Sequence, residues 1–264
     1  MSLEDGIGDV VAKAMLGLGM DAGGLAEMTG LPASRIEGIL RGDFDAESLR
    51  KIAPVLRLDV EALVSLPGYL PGKQEIPGVR RLELPFGQWT VNAWLVEAGG
   101  FRLLFDTGCG GDDITAALGG AIPDAVFITH AHGDHVGGVS ALESAGVRVI
   151  PETQALREGA YGFGAVSIRA VDLSGHMTPT AGYLIGGLGK SLLVAGDAIF
   201  AGSIGRCRST DAYQTAFGNL RRVLGEAGPD CVILPGHGPA TTVAEELVSN
   251  PFIRRHFFTA KNLR

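Results

Sequence analysis

The chain has 264 residues, 46% of them hydrophobic and 19% charged, with a formal net charge of −7. That length and apolar content support one large domain, or a large one with a small one, and exclude a disordered, solvating chain. The acid excess argues against nucleic acid as a partner of the whole protein, and no apolar run reaches the length of a membrane span. The cysteines Cys109, Cys207 and Cys231 are odd in number and widely spaced. They fit neither a disulfide framework nor a CxxC metal site, and they point to a reducing compartment. The N-terminal stretch MSLEDGIGDVVAKAML starts acidic and lacks the basic region of a signal peptide, so a cytoplasmic protein with no membrane partner is expected.

Residues 1–66 read as short capped helices without strands, a small helical domain. Leu25, Ala26, Ile36, Ile39, Leu40, Leu49, Ile52, Ala53 and Leu56 recur at helical spacing. Gly30 allows a sharp turn after LAEMT, and PASRIEGILRG reads as the next helix with Pro32 early in it. Up to Leu70 there are six basic residues and eleven acidic ones. Residues 67–78, dense in Pro and Gly, read as a linker. From 79 to 264 the texture changes. TVNAWLVEA, FRLLFDTG, AVFITH, VRVI, VSIRAV, AGYLIGG, SLLVAGD and CVILPGHG read as strands. Helical patterns lie at Asp112–Leu118, His135–Ser144, Thr210–Gly225 and Val243–Ser249. Many strands with interspersed helices predict an α/β layered fold with buried sheets.

The stretch FITHAHGDHVGG, residues 127–138, holds three of the six histidines and Asp134. His130 ends an apolar strand-like run. Residues two apart in extended chain share a side, so His130 and His132 can aim at one point. Asp134 and His135 follow where Gly133 permits a bend. The same grammar recurs at His176 in DLSGHMTP, Asp197 in LLVAGDAIF and His237 in VILPGHGPA, each just past an apolar run. Imidazole and carboxylate without thiolate suit zinc, iron or manganese. Five histidines and two aspartates exceed one tetrahedral site; they suit two divalent metals, roughly 3.5–4 Å apart, with a carboxylate between them. His256, in RRHFF, fits no such pattern and reads as structural or surface.

From about Val79 to Phe252 the sequence resembles the metallo-β-lactamase-fold hydrolases. FDTG, THAHGDH, GH at 175–176, GD at 196–197 and PGHG arrive in that family's order. The resemblance implies an αβ/βα sandwich with the site at one edge of two packed sheets. It implies His130, His132 and His176 on a first metal, Asp134, His135 and His237 on a second, and Asp197 bridging them. Asp106 of FDTG would orient ligands from outside. Asp134 and Asp197 would be the catalytic carboxylates, Asp134 also orienting the water.

GDAIFAGSIGR and LPGHGPATTVAEELVSNPF resemble the hydroxyacylglutathione hydrolase (glyoxalase II) branch. Asp197 stands where dinuclear zinc β-lactamases commonly have cysteine, which argues against antibiotic hydrolysis. GHMTPTAG replaces the usual GHTPG, and GRCRST stands where GRTD is frequent. Only IRRHFFTAKNLR follows the last motif, so the helical segment that helps glyoxalase II hold glutathione is expected to be missing. The implied reaction is hydrolysis of a thioester or related activated acyl compound. Two metals would lower the pKa of a shared water to about 7 and so supply hydroxide to attack the carbonyl. A mononuclear iron persulfide dioxygenase, a lactonase and a metabolite-sensing DNA-binding regulator stay open as alternatives.

For the small-molecule acyl substrate, Phe86 and Trp89 are candidates for an apolar lid. Arg206 and Arg208 are candidates for binding a carboxylate or phosphate, and Tyr183 is a further candidate contact. Ordinary packing or solvation is the alternative for each. Cys207 reads as a free, unactivated thiol. LAEMTGLPASRIEGILRG resembles the helix-turn-helix of Cro/C1-type repressors. Its second helix offers only Ser34, Arg35, Glu37 and Arg41 to DNA, and the acid excess opposes phosphate. Packing, or a homo-oligomer through the helical domain, is favoured over DNA binding.

Overall fold

A computed structural model describes residues 2–257. Five helices come first: α1 (Ile7–Gly17), α2 (Ala22–Thr29), α3 (Ala33–Leu40), α4 (Ala46–Val55) and α5 (Val60–Ser65). Asp21 and Asp59 cap α2 and α5 by accepting from the amides of Gly24 and Ala62, which satisfies donors the helix leaves unpaired. Gly30, in the left-handed region, closes α2. The chain then runs β1 (Val79–Phe86), β2 (Trp89–Ala98), β3 (Phe101–Phe105), α6 (Gly111–Leu118), β4 (Ala125–Phe127), α7 (Gly133–Val136), α8 (Val139–Ser144) and β5 (Arg148–Ile150). After α9 (Glu152–Glu158) come β6 (Ala160–Phe163), β7 (Val166–Asp172), β8 (Ala181–Gly186), β9 (Leu192–Gly196), β10 (Ile199–Phe200) and β11 (Ser203–Ile204). The remainder is α10 (Thr210–Ala227), β12 (Val232–Pro235), β13 (Thr241–Thr242), α11 (Val243–Ser249) and α12 (Pro251–Phe257).

The strands form two main sheets, in the orders β1-β2-β3-β4-β5 and β13-β12-β9-β8-β7-β6, with β10-β11 a separate two-stranded hairpin. Strand alternation builds the layers. Leu103 and Phe105 of β3 point into the core between the sheets, as do Leu192 and Val194 of β9 and Val232 and Leu234 of β12. Leu104 and Val126 point outward to pack with Ile114 and Leu118 of α6 and Leu142 of α8. Leu193, Ala195 and Ile233 point outward on the other side, into a core shared with Leu220 and Leu224 of α10. This is the αβ/βα sandwich of the metallo-β-lactamase fold.

The helical region does not keep a core to itself. Val10, Val11, Leu25, Ile36, Ile39, Leu49, Ile52 and Leu56 belong to the same cluster as Leu220, Ile233 and Phe252. Tyr69, just past α5, donates to Glu246 of α11, and the Gly72 amide donates to Glu245, so the Pro/Gly-rich segment is tied down along its length.

Two local expectations change. The single helix over His135–Ser144 is two short ones, α7 and α8, with Gly137 and Gly138 between them packed against the Cys109 backbone and Thr107. Gly133 is not the bend; it opens α7. His256 lies within α12, but its side chain is outside the described residues. Among the described residues no helix is long and apolar enough to cross a membrane.

Candidate metal centre

The site lies where the C-terminal ends of β4, β9 and β12 meet. His130 and His132 follow β4, and Asp134 and His135 sit on α7. His176 follows β7, Asp197 follows β9 and His237 follows β12. Backbone bonds join the two sheets at this point: Ala181 N donates to Thr129 O at 2.8 Å, and Asn92 N to Gly236 O at 2.7 Å. Two glycines make the convergence fit. A Cβ on Gly236 would stand 2.3 Å from Asp197 Oδ1, and one on Gly205 would stand 1.9 Å from Asp197 O.

All seven predicted ligands come together. His130, His132, His176 and Asp197 form one group and Asp134, His135 and His237 another, the ligand atoms within each lying within 4.8 Å of one another. Asp197 stands between the groups: Oδ1 is 3.3 Å from His135 Nε2, and Oδ2 is 3.6 Å from both His176 Nε2 and His237 Nε2.

Hydrogen bonds on the outer side of the rings decide which nitrogen faces inward. Asp106 is buried with φ +61°, a conformation rare outside glycine. Its Oδ1 accepts from Thr129 N and its Oδ2 from Thr129 Oγ1, both at 2.8 Å. Oδ2 also accepts from His135 Nδ1 at 2.8 Å. With its own proton committed to Asp106, Thr129 Oγ1 accepts from His130 Nδ1 at 3.0 Å. His176 Nδ1 donates to Arg206 O at 3.0 Å and His237 Nδ1 to Thr90 O at 2.8 Å. Four imidazoles thus turn their Nε2 atoms to the centre. His130 Nε2 and His176 Nε2 each lie 3.0 Å from His132 Nδ1, and one proton on His132 cannot satisfy both. His135 Nε2 and Asp197 Oδ1 are buried without any hydrogen-bond partner. Converging ring nitrogens and orphaned buried donor atoms are what a cation resolves.

The electrostatics agree. Burial, then the charge of His135, drives the His130 pKa down to about 2, so it is a neutral ligand. Burial likewise leads in lowering His176. Burial opposes ionisation of Asp197, yet His135, His237 and His130 around it hold its carboxyl well below the usual range. For His135 burial again opposes the charge, but Asp197 and Asp106 raise its pKa well above normal. The buried carboxylates therefore demand positive charge at this point. The donor set fits divalent metal, and the two groups suggest a dinuclear site.

The other predicted residues divide. Phe86 and Trp89 stand at the exposed tip of the β1–β2 hairpin; the Phe86 ring is 5.9 Å from His237 and 6.4 Å from Trp89. Arg206 and Arg208 are exposed beside the site, Arg206 touching it through its carbonyl. Tyr183 is a correction. It is fully buried between Phe105 and Phe127, and its hydroxyl donates to Ile128 O, so it has no surface to offer a substrate. Cys207 is buried, and burial pushes its thiol up to about 11. Thr129, which links Asp106 to His130, went unread in the sequence. So did Asn92, whose Nδ2 donates to Pro235 O and Gly238 O on either side of His237; a lone amide inside the apolar run TVNAWLVEA was its signal.

A family model described as the metallo-beta-lactamase superfamily matches residues 86–151. The probable metallo-hydrolase YqgX of Bacillus subtilis is 25% identical over 203 residues, covering 64% of this chain and 95% of that protein. The hydroxyacylglutathione hydrolase GloC of Haemophilus influenzae is 29% identical over 160 residues, 48% of this chain and 74% of that one. The crystal structure of TTHA1623 in a di-iron-bound form shares 29% identity at a TM-score of 0.51, over 64% of this chain and 98% of that chain. Fold, site and relatives support the metallo-β-lactamase superfamily. Among its branches, the relatives are metallo-hydrolases at modest identity.

Proposed function

We propose that the protein is a dinuclear metal-dependent hydrolase of thioesters or related activated acyl compounds. The observation that carries this reading is Asp197, a buried carboxylate that belongs to one group of ligand atoms and stands 3.3 Å from His135 and 3.6 Å from His237 of the other. Two divalent ions, zinc first and iron or manganese as alternatives, would lower the pKa of a shared water to about 7 and polarise the substrate carbonyl. The chain's own residues do the rest. Asp106 and Thr129 fix the tautomers of His135 and His130. Burial pushes the pKa of Asp134 up, but the hydrogen bond to His237 and the charge of His135 leave it lowered overall. Asp134 therefore stays anionic, able to help hold a cation and to orient the attacking water by accepting a hydrogen bond from it. Phe86, beside His237, and Trp89 offer exposed apolar surface to the acyl part of a substrate.

GloC, named a hydroxyacylglutathione hydrolase, supports the acyl thioester class, and the di-iron form of TTHA1623 supports two metals. The helical region serves packing in this reading. Arg35 lies 3.9 Å from Asp45, Lys51 pairs with Glu47 at 3.0 Å, and Arg50 pairs with Glu61, so acids stand beside three of its basic side chains, an arrangement adverse to phosphate. The test is metal content per chain together with hydrolysis of a generic acyl-glutathione thioester. About two metals, with turnover lost in His132→Ala, is the expected result. One iron, no thioester cleavage and oxygen uptake with a persulfide would overturn it.

A further inference from the structure

Helix α1 is apolar on its inner face except for one residue. In IGDVVAKAMLG, Lys13 is buried at 7% exposure among Val10, Val11 and Ala14. Its partner Asp5 is buried as well, at 8%, and the two form an ion pair. Such a pair is a poor means of gaining stability, since apolar residues of similar volume usually do as well or better. What distinguishes Lys13 is what else it touches. Its Nζ donates to Ile204 O at 2.9 Å, across 191 residues, and sits 4.9 Å from the centre of the Phe200 ring. Both belong to the β10–β11 hairpin, which begins two residues after Asp197.

From Ile204 the path to the metal centre is two residues long. The Gly205 backbone is wedged so tightly between Asp197 O and the His176 side chain that no Cβ fits there. Arg206 O is the acceptor that orients His176 at 3.0 Å. On the other arm of the hairpin, the Phe200 ring lies 6.0 Å from His237. Two further clamps hold the hairpin from the far side: Gly202 N donates to Glu246 and Asn250 Nδ2 to Ser203 O, both at 2.9 Å. Lys13 holds it from the helical region.

We propose that Lys13 is a positioning residue of the metal centre. By anchoring Ile204 O it fixes the Arg206 carbonyl that orients His176 and the backbone that packs against Asp197. The helical region is then part of the metal centre's scaffold, an inference that rests on the metal reading above for its functional meaning but on hairpin geometry for its physical content.

The test uses the full chain with Lys13→Met, with Lys13→Met combined with Asp5→Leu, and with Lys13→Arg. Lys13→Met alone leaves Asp5 buried and unpaired and can unfold the protein; the double variant removes both charges. In the metal-free double variant, amide hydrogen exchange over residues 199–206 is expected to quicken about tenfold or more, with β8 and β9 unchanged. After zinc loading, metal loss to a chelator is expected to quicken about 10–100-fold. Lys13→Arg, which keeps a charged donor, should recover most of both. A double variant that matches the parent in exchange and metal retention overturns the proposal. So does one that cannot fold, because the pair would then be a requirement of the fold rather than of the site. A parent that takes up no metal sinks the hydrolase reading alone, and the exchange measurement still decides the role of Lys13.

Discussion

The two sides of the ligand cluster are held by different kinds of partner. His130 and His135 hang from one side chain, Asp106, directly or through Thr129. His176 and His237 hang from backbone carbonyls, those of Arg206 and Thr90. A side-chain orienter concentrates control in one residue. A carbonyl orienter spreads control over whatever holds its loop, here Lys13 behind Ile204 and Asn92 beside His237. The first side should therefore break at a single substitution, while the second should yield by degrees.

The largest effect is expected where the sides meet. Asp197→Ala removes the carboxylate between the groups and leaves His130, His132 and His176 facing one another without an anion in their group. Metal content should fall below one per chain and thioester turnover to background, as read by metal analysis of purified protein. Retention of two metals would show that the sides do not depend on a common ligand. Next is Asp106→Asn, in which an amide donor would face donors from Thr129 and His135. His135 then favours the tautomer with its proton on Nε2, where a metal should sit. A loss of about 10–100-fold in metal affinity is expected, measured by chelator competition. A smaller loss than for Asn92→Ala would invert the comparison.

Asn92→Ala probes the carbonyl-held side. Its Nδ2 donates to two carbonyls flanking His237, but each has a second donor: Trp94 Nε1 reaches Pro235 O at 2.9 Å and Arg81 Nη1 reaches Gly238 O at 3.0 Å. That redundancy limits the cost to about 1 kcal/mol of stability and to less than about tenfold in metal affinity.

Protons sharpen the same contrast. Burial lowers the pKa of His237, but its bond to Asp134 and the charge of Asp197 win, and it stands at about 8 against an ordinary 6.5. Raised in the fold, this group contributes stability to the metal-free protein that is fully present below pH 6.5 and lost as pH rises through 8, about 2 kcal/mol at most. The same proton must leave before metal binds. Uptake at the second group should therefore release protons below pH 8, weakening by up to about tenfold per pH unit. Titration calorimetry in buffers of different ionisation enthalpy reads this directly.

The contrast also explains what the sequence could say. The seven clustered side chains were legible because they fall in short motifs that follow apolar runs, and FDTG carried Asp106 the same way. The layered fold followed from many short apolar runs with helical patterns between them. Lys13, Thr129 and Asn92 act across 191, 23 and about 145 residues of chain, and no local period records such pairings. Tyr183 misled because an aromatic in a strand looks alike whether it faces a core or a substrate. The helical spacing of Leu25 to Leu56 was readable, but not that those residues share one core with Leu220 and Ile233.

The smallest effect is expected outside both sides, at the hairpin tip. Phe86 is 39% exposed and Trp89 58%, so each has apolar surface left to bury against an acyl chain. The Phe86 ring touches the ligand shell only through His237, and it makes none of the bonds that fix a ligand's tautomer. Phe86→Ala should therefore raise KM about fivefold, the equivalent of burying roughly half a side chain, and leave kcat and metal content unchanged. Trp89→Ala should do less, because Trp89 is the more exposed of the two. A fall in kcat for Phe86→Ala with KM held would mean that the ring supports His237 itself. The hairpin would then belong with Asn92 and Lys13 among the distributed supports of the carbonyl-held side, rather than to the substrate.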